Sequence, residues 1–361
     1  MDDGQLAGYT VLDLSTVGPA SRCSSLLADL GADVLKVMRP PGRGGIEPAW
    51  FSYGAGRGTR IVRLDLKSDD GRAAFLGLAA EADVVLDSYR PGVADRLGIG
   101  FEAVHRANPK IIYAALSGYG QHGPYAQYAG HDLNYLAIGG FFATQGRGTD
   151  GIPAMPGATV ADSAGGGMQA VIAILAALIK RTDTGEGQFL DVSATDGVLS
   201  LMSLHLDEYL ATGTEPTAGS ALLTGRYACY GLYAAGDGGW LAVGAIEAQF
   251  FANLCERLGC EEWIPHQYDD DQQDAIRSAL AAAFATRTRD EWTADLAAHD
   301  TCVTPVLSIA EVTRDSHLRA RGAFSVVAHA EHGEVEQVGP VVAGAHQPAA
   351  GFTAPPREVS V

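Results

Sequence analysis

Over its first 120 residues the chain keeps switching between short apolar runs and longer stretches patterned for helix. That alternation restricts the fold more than any other feature. Residues 9–15 (YTVLDLS) read as strand, 19–30 as a helix stopped by Gly31, and 33–38 and 60–66 as strands. A helix over 68–82, a strand over 83–89 and, after short helices, a strand over 111–117 complete the series. Strands separated by helices return in the same direction, so the pattern predicts an α/β fold with a mostly parallel sheet. In such sheets ligands gather beyond the carboxyl ends of the strands, which makes the residues just after each strand the ones to inspect.

Further along, residues 130–181 read as helical around a glycine-rich interruption at 146–156, followed by a strand at 188–193 and a long helix at 195–212. A Thr-, Gly- and Pro-rich linker follows to 225. Next comes a hairpin, 230–235 and 240–244, about the turn 236–239. Thr288 with Glu291, and Ser308 with Glu311, have the spacing of capping boxes and open helices. The expected division is a large α/β domain over 1–193, a helix and linker over 194–224, and a small α+β domain over 225–322. A return linker at 323–330 and a C-terminal segment, 331–361, would then complete the large domain. A hairpin pattern at 324–338 overlaps that return.

Composition excludes several classes of function. With 43 acidic against 25 basic residues the net charge is −18, which disfavours nucleic acid and anionic membranes as partners. The five cysteines are scattered and form no CxxC, so neither a disulfide framework nor a zinc knuckle is expected, and no metal site. The acidic start lacks an apolar stretch, and the longest purely apolar run, 170–179, is too short to span a bilayer. The expectation is a soluble cytoplasmic protein. A few gathered cations could still hold an anionic small ligand. Arg39 follows the second strand, Arg57, Arg60 and Lys67 surround the third, and Arg90 follows the fourth, which together suggest a phosphate site.

Four motifs invite a chemical reading. Gly118-Tyr119-Gly120-Gln121-His122-Gly123 matches GxGxxG, but Pro124 follows where a dinucleotide fold needs a helix, so a sharp turn is the better reading. In Gly130-His131-Asp132-Leu133-Asn134-Tyr135 a histidine stands at a helix start, where the dipole favours its neutral, proton-accepting form. The first-turn amides there could stabilise an oxyanion. Asp162 precedes three consecutive glycines, 165–167, each costing about 1 kcal/mol relative to alanine inside a helix. Such a cost implies something large against the backbone, either a ligand or a neighbouring helix. Glu247 sits where a strand gives way to a helix, which a first-turn carboxylate alone would explain.

Taken together these segments resemble the family III CoA-transferase superfamily and, within it, the α-methylacyl-CoA racemases. The resemblance spans the chain. It is carried by Leu30-Gly31-Ala32-Asp33-Val34 with Arg39, by Leu64-Asp65-Leu66-Lys67-Ser68, and by Tyr89-Arg90-Pro91-Gly92-Val93. The 118–124 and 129–135 segments, Val243-Gly244-Ala245-Ile246-Glu247 and Cys302-Val303-Thr304-Pro305-Val306-Leu307 extend it. It implies a large Rossmann-like domain and a smaller α+β domain in an interlocked homodimer, with each active site shared between chains. It further implies that His131 and Asp162 are two acid/bases, that Glu247 partners His131, and that the Asp132 amide helps bind an enolate. Arg39, Arg57, Arg60, Lys67, Tyr89, Arg90, Gly118 and Tyr119 would hold the CoA portion of an acyl-CoA substrate, and no separate cofactor is implied.

The chemistry suits these residue types. Inverting C2 of an acyl thioester needs a proton removed from one face and one returned to the other, and each positioned acid or base contributes about 10²–10⁴ in rate. The glycines at 165–167 would let the thioester approach closely. Two features depart from fatty-acyl racemases. The 223–230 segment lacks an Asp-Gly-Gly-Ala-Pro stretch, and within 195–212 Met202 is the only methionine. Sparse methionine weakens a fatty-acyl assignment and leaves room for a branched, aromatic or polyketide-like acyl group. The competing readings are a CoA transferase using Asp162 as covalent nucleophile, and a non-catalytic acyl-CoA binder.

Overall fold

The computed structural model describes residues 4–42, 49–52, 56–345, 352–354 and 357–360. Six parallel strands form the body of its main sheet: β1 (Thr10–Asp13), β2 (Asp33–Met38), β3 (Thr59–Arg63), β4 (Val84–Asp87), β5 (Ile112–Ser117) and β6 (Gln188–Ser193). The order is β3-β2-β1-β4-β5-β6, so the chain winds outward from β1 on one side and then from β4 on the other. The two halves part between the carboxyl ends of β1 and β4, the topological switch point where α/β sheets bind ligands. A short C-terminal strand, Arg357–Glu358, pairs parallel with β3 and makes seven.

Both faces of this sheet are covered, as parallel strands require. Consecutive residues point to opposite sides. Val11, Val34, Leu86 and Ala114 pack in one core with Leu27 and Ile174. Their neighbours Leu12, Leu35, Val85 and Tyr113 pack in the other with Phe75 and Ile99. Helix α1 (Gly18–Asp29) lies on the first side and starts with proline in its first turn. On the second side lie α2 (Asp69–Glu81), α3 (Val93–Leu97) and α4 (Phe101–Ala107). The α2 start is set by Ser68, whose hydroxyl accepts the Gly71 N–H at 3.0 Å, with Asp69 and Asp70 favoured by the dipole.

After β5 come α5 (Asp132–Ile138) and α6 (Phe141–Thr144), then a π-helical segment, Ala161–Met168, that runs directly into α7 (Gln169–Thr184). The combined 24-residue helix is long and apolar enough to cross a membrane. Its Gly165–Gly167 face and Ala170, Val171, Ile174, Ala177 and Leu178 are nevertheless buried in the large unit, as in a core helix. The expected long helix at 195–212 is broken at Met202 into α8 (Ala194–Leu201) and α9 (Ser203–Thr212). The Met202 N–H turns back to the carbonyls of Val198 and Leu199, closing the first helix before the second begins.

The chain divides into two compact units. The larger comprises Met1–Phe141, Pro156–Asp207 and Ser316–Val361; the smaller comprises Phe142–Met155 and Glu208–Asp315. The glycine-rich 146–155 stretch thus belongs to the small unit, and the return to the large one comes at 316. The segment read as a return linker at 323–330 is mostly strand: Phe324–His329 pairs with Gly333–Val338 on one side and Phe352–Ala354 on the other. The alternating burial of Phe324–His329 shows why the hairpin pattern overrode the linker reading. Within the small unit, Tyr230–Ala234, Trp240–Gly244 and Val303–Pro305 form an antiparallel sheet over a core that includes Phe251, Phe284 and Trp292. Both expected capping boxes are present.

The glycines after Asp162 pack helix against helix. A Cβ on Gly165 would lie 2.7 Å from the Ala194 carbonyl oxygen, and one on Gly166 would meet Pro19 at 2.5 Å. A Cβ on Gly197 would sit 1.8 Å from the Gly165 carbonyl oxygen. Close approach by a thioester is therefore not what these glycines serve; α1 and α8 occupy the space. Replacing Gly197 with alanine is expected to destabilise the protein by about 2 kcal/mol through overpacking, read as a lower midpoint in urea unfolding.

Candidate active site

The carboxyl ends of β1, β2, β4 and β5 open onto a groove of about 820 Å³ whose lining includes Thr16, Arg39, Tyr89, Ser117 and Tyr135. It adjoins a hollow of about 390 Å³ that shares Tyr89, Ser117, Gly118 and Tyr135 and adds Arg90, Tyr119 and His131. A pit of about 90 Å³ at the ends of β2 and β3 places Lys67 beside Arg39 and Tyr89. Six of the eight residues expected to hold CoA therefore line one continuous strip above the switch point.

Arg57 and Arg60 do not. They lie at the amino-terminal side of β3, the opposite end of the sheet. Arg57 is ion-paired with Asp29 at 2.7 Å and donates to the Val338 carbonyl, while Arg60 is paired with Asp33. Sequence proximity to a strand does not tell which end of it a cation occupies. The GxGxxG match ends in coil, with φ of +83° at Gly120 and +91° at Gly123 in place of a helix start.

Tyr135 shapes the wall next to His131. Its hydroxyl donates to the Gly130 carbonyl at 2.6 Å, and its ring fills the space a side chain at Gly118 or Gly130 would need. Burial pushes its pKa up to about 12, so it stays a donor. These two glycines are required by a tyrosine that carries no signal of its own in the sequence.

His131 is the N-cap of α5, exposed to the hollow, and its backbone N–H donates to Asn134 Oδ1 at 3.0 Å. The Asp132 carboxylate does not cap its own helix. It accepts the backbone N–H of Asp162 at 2.8 Å and so ties the start of α5 to the π-helical segment 30 residues later. Asp162 is half-buried. Burial raises the pKa of its carboxyl, the like charge of Asp132 raises it further, and Arg22 and His131 pull it down less strongly. Arg22, on α1, carries no sequence signal; it reaches this neighbourhood because α1 packs against the glycines that follow Asp162.

Glu247 belongs to the smaller unit. It is exposed at the N-cap of the Ala248–Leu258 helix, and the preceding Ile246 carbonyl is held by Gln267 Nε2 at 2.7 Å and by the Tyr268 hydroxyl. Among the described residues no cluster of His, Cys, Asp and Glu has the makings of a metal site.

The parallel doubly wound sheet gathers cations and a histidine in the cavities at its carboxyl edge, and sequence comparison places the chain in a family of enzymes. The model of CoA-transferase family III matches residues 6–358, and the chain belongs to that family. It is 38% identical over 320 residues to the alpha-methylacyl-CoA racemase of Homo sapiens, covering 88% of this chain and 82% of the relative. To the acetyl-CoA:oxalate CoA-transferase of Acetobacter aceti it is 32% identical over 337 residues, covering 88% and 85%. Among solved structures, a CaiB/BaiF family protein from Brucella suis superimposes with a TM-score of 0.76 at 29% identity, over 89% of each chain.

The Asp132 contact predicts a coupled titration. Asp132→Asn keeps an acceptor for the Asp162 N–H but removes the like charge, so the Asp162 pKa should fall. A carbon-13 NMR titration of the side-chain carboxyl reads the shift directly, and an unchanged midpoint would refute the coupling.

Proposed function

We propose that the protein is a racemase of 2-methylacyl-CoA or related 2-substituted acyl-CoA thioesters. The observation that carries this reading is the junction of α5 with the π-helical segment. There a histidine and an aspartate of raised pKa, 31 positions apart in sequence, share one electrostatic neighbourhood. In this reading Arg39, Lys67, Tyr89 and Arg90 hold the CoA portion along the strip, which directs the thioester toward His131. His131 and Asp162 stand on opposite sides of C2. One removes its proton as the thioester becomes an enolate, and the other returns a proton to the opposite face. The Asp132 amide, at the first position of α5, has no partner within the helix and can donate to the enolate oxygen. The raised pKa lets Asp162 serve as the acid in one direction and the base in the other. No separate cofactor enters this chemistry.

The reading extends to an interlocked homodimer in which Glu247 of one chain partners His131 of the other. Support comes from large apolar side chains on the outer face of the large unit: Ile172 and Ile179 of α7 are 61% and 69% exposed. Surfaces of that kind mark association sites. Sedimentation should give twice the chain mass at micromolar concentration; a monomer there would refute the shared site.

The racemase relative at 38% identity favours this over transfer, although the transferase relative leaves a second reading in which the Asp162 carboxylate attacks the thioester carbonyl and expels CoA thiolate. Incubating the enzyme in heavy water with 2-methylacyl-CoA esters, short, long, branched and aryl-bearing, distinguishes them. Deuterium should enter C2 without any acyl acceptor, and His131→Ala should slow this by about 10²–10⁴. No exchange across the set, with hydroxylamine trapping an acyl group on Asp162, would establish transfer instead.

A further inference from the structure

The two strands that flank the switch point end alike. β1 closes on Asp13 and β4 on Asp87, and each carboxylate accepts the backbone N–H two residues ahead: Asp13 from Ser15 at 2.7 Å, Asp87 from Tyr89 at 2.8 Å. In the parallel register Asp13 stands opposite Leu86, one residue short of Asp87. The two carboxylates therefore point to opposite faces of the sheet. The residues just beyond them line the groove, Thr16 and Val17 on one side and Ser88 and Tyr89 on the other.

Their surroundings differ. Asp13 is paired with the Lys36 ammonium at 2.5 Å, which also donates to Ser24 Oγ at 3.2 Å. Asp87 is buried and, among the described residues, faces no cation. Its second oxygen accepts the Tyr113 hydroxyl of β5 at 3.0 Å. That hydroxyl also lies 3.3 Å from the Ile99 carbonyl, and the remaining nearby charge is the carboxylate of Asp95 on α3. Burial above all, with a smaller push from Asp95, raises its pKa to about 6 despite the N–H of Tyr89 and the Tyr113 hydroxyl.

We propose that Asp87 is a positioning residue for the CoA thioester. Ionised, it holds the Ser88-Tyr89-Arg90-Pro91 turn so that Tyr89 and Arg90 face the groove; protonated, it releases that turn and weakens binding in mildly acidic solution. The inference rests on reading the groove as a CoA-thioester site. Hydrogen bonds to an ionised acceptor are roughly twice as strong as neutral ones. A protonated Asp87 can place its new O–H on the Tyr113 oxygen, whose own hydroxyl then turns to the Ile99 carbonyl, and the Tyr89 N–H is left with the weaker, neutral acceptor.

Calorimetric titration of the full-length protein with acetyl-CoA between pH 5 and 8 tests this. Wild type should bind about five- to tenfold more weakly at pH 5 than at pH 7.5, as linkage to one proton near pH 6 requires. Asp87→Asn keeps an acceptor for Tyr89 but cannot titrate, so its slope should be flatter than that of wild type; any proton uptake by the ligand itself is common to both. Asp87→Ala should bind more weakly throughout. An Asp87→Asn slope equal to wild type, or Asp87→Ala binding like wild type at pH 7.5, overturns the inference. If the alanine variant fails to fold, the asparagine slope decides. Acetyl-CoA binding with this pH pattern but no C2 exchange would count against the racemase reading alone, whereas no binding at any pH would remove both.

Discussion

Everything at the proposed site depends on a backbone-to-backbone contact between two helices. Gly165 and Gly197 let the π-helical segment and α8 come so close that a single methyl group on Gly197 would strike the Gly165 carbonyl. On the adjoining face Gly166 and Gly167 seat Pro19 and Arg22 of α1. A π-helical stretch is uncommon, and its glycines raise its cost, so the packing that holds it must be dense. That density places Asp162 at a defined point and brings a carboxylate from another helix, Asp132, to its backbone N–H. Burial in that packing, and then the like charge of Asp132, make the Asp162 carboxyl retain its proton more readily than an isolated aspartate.

Charge is distributed with similar economy. The chain carries −18, yet Arg39, Lys67 and Arg90 gather along the strip that opens at the switch point. A local positive strip on an acidic protein concentrates an anionic ligand at one place and repels polyanions elsewhere. The remaining cations near β3 serve the fold: Arg57 closes over Asp29, and Lys36 offsets Asp13 beneath the cleft. Breaking either buried pair would leave an uncompensated charge inside the protein, so these residues secure the framework on which the site is built.

Much of this was legible in the chain itself. The strand and helix alternation predicted a parallel α/β sheet, because apolar runs of four to seven residues between helical stretches allow few other arrangements. The residues after the strands pointed to the groove, His131 and Glu247 stood out for their places at helix starts, and Asp162 for the three glycines that follow it. Local patterns misled where the deciding contact is distant. Arg57 and Arg60 looked like ligand cations because adjacency to a strand is visible in sequence, whereas the end of the sheet is not. The linker reading at 323–330 failed because Phe324–His329 finds two strand partners, one of them more than 20 residues on. The roles of Tyr135, Arg22 and the Asp132 side chain depend on partners up to 145 positions away.

By itself, then, the sequence determined the kind of sheet, the family and the residue types available for proton transfer, since periodicity, turn residues and ordered motifs are local properties. Tertiary structure alone decided which side of the sheet each cation serves and what the three glycines are for. It also decided that Asp132 holds Asp162 and that Asp13 and Asp87, near-identical in sequence context, sit in unlike electrostatic surroundings. The physical reason is that a side chain's charge and hydrogen bonds answer to whatever lies within a few ångströms, and in a parallel sheet those neighbours come from strands and helices far apart along the chain.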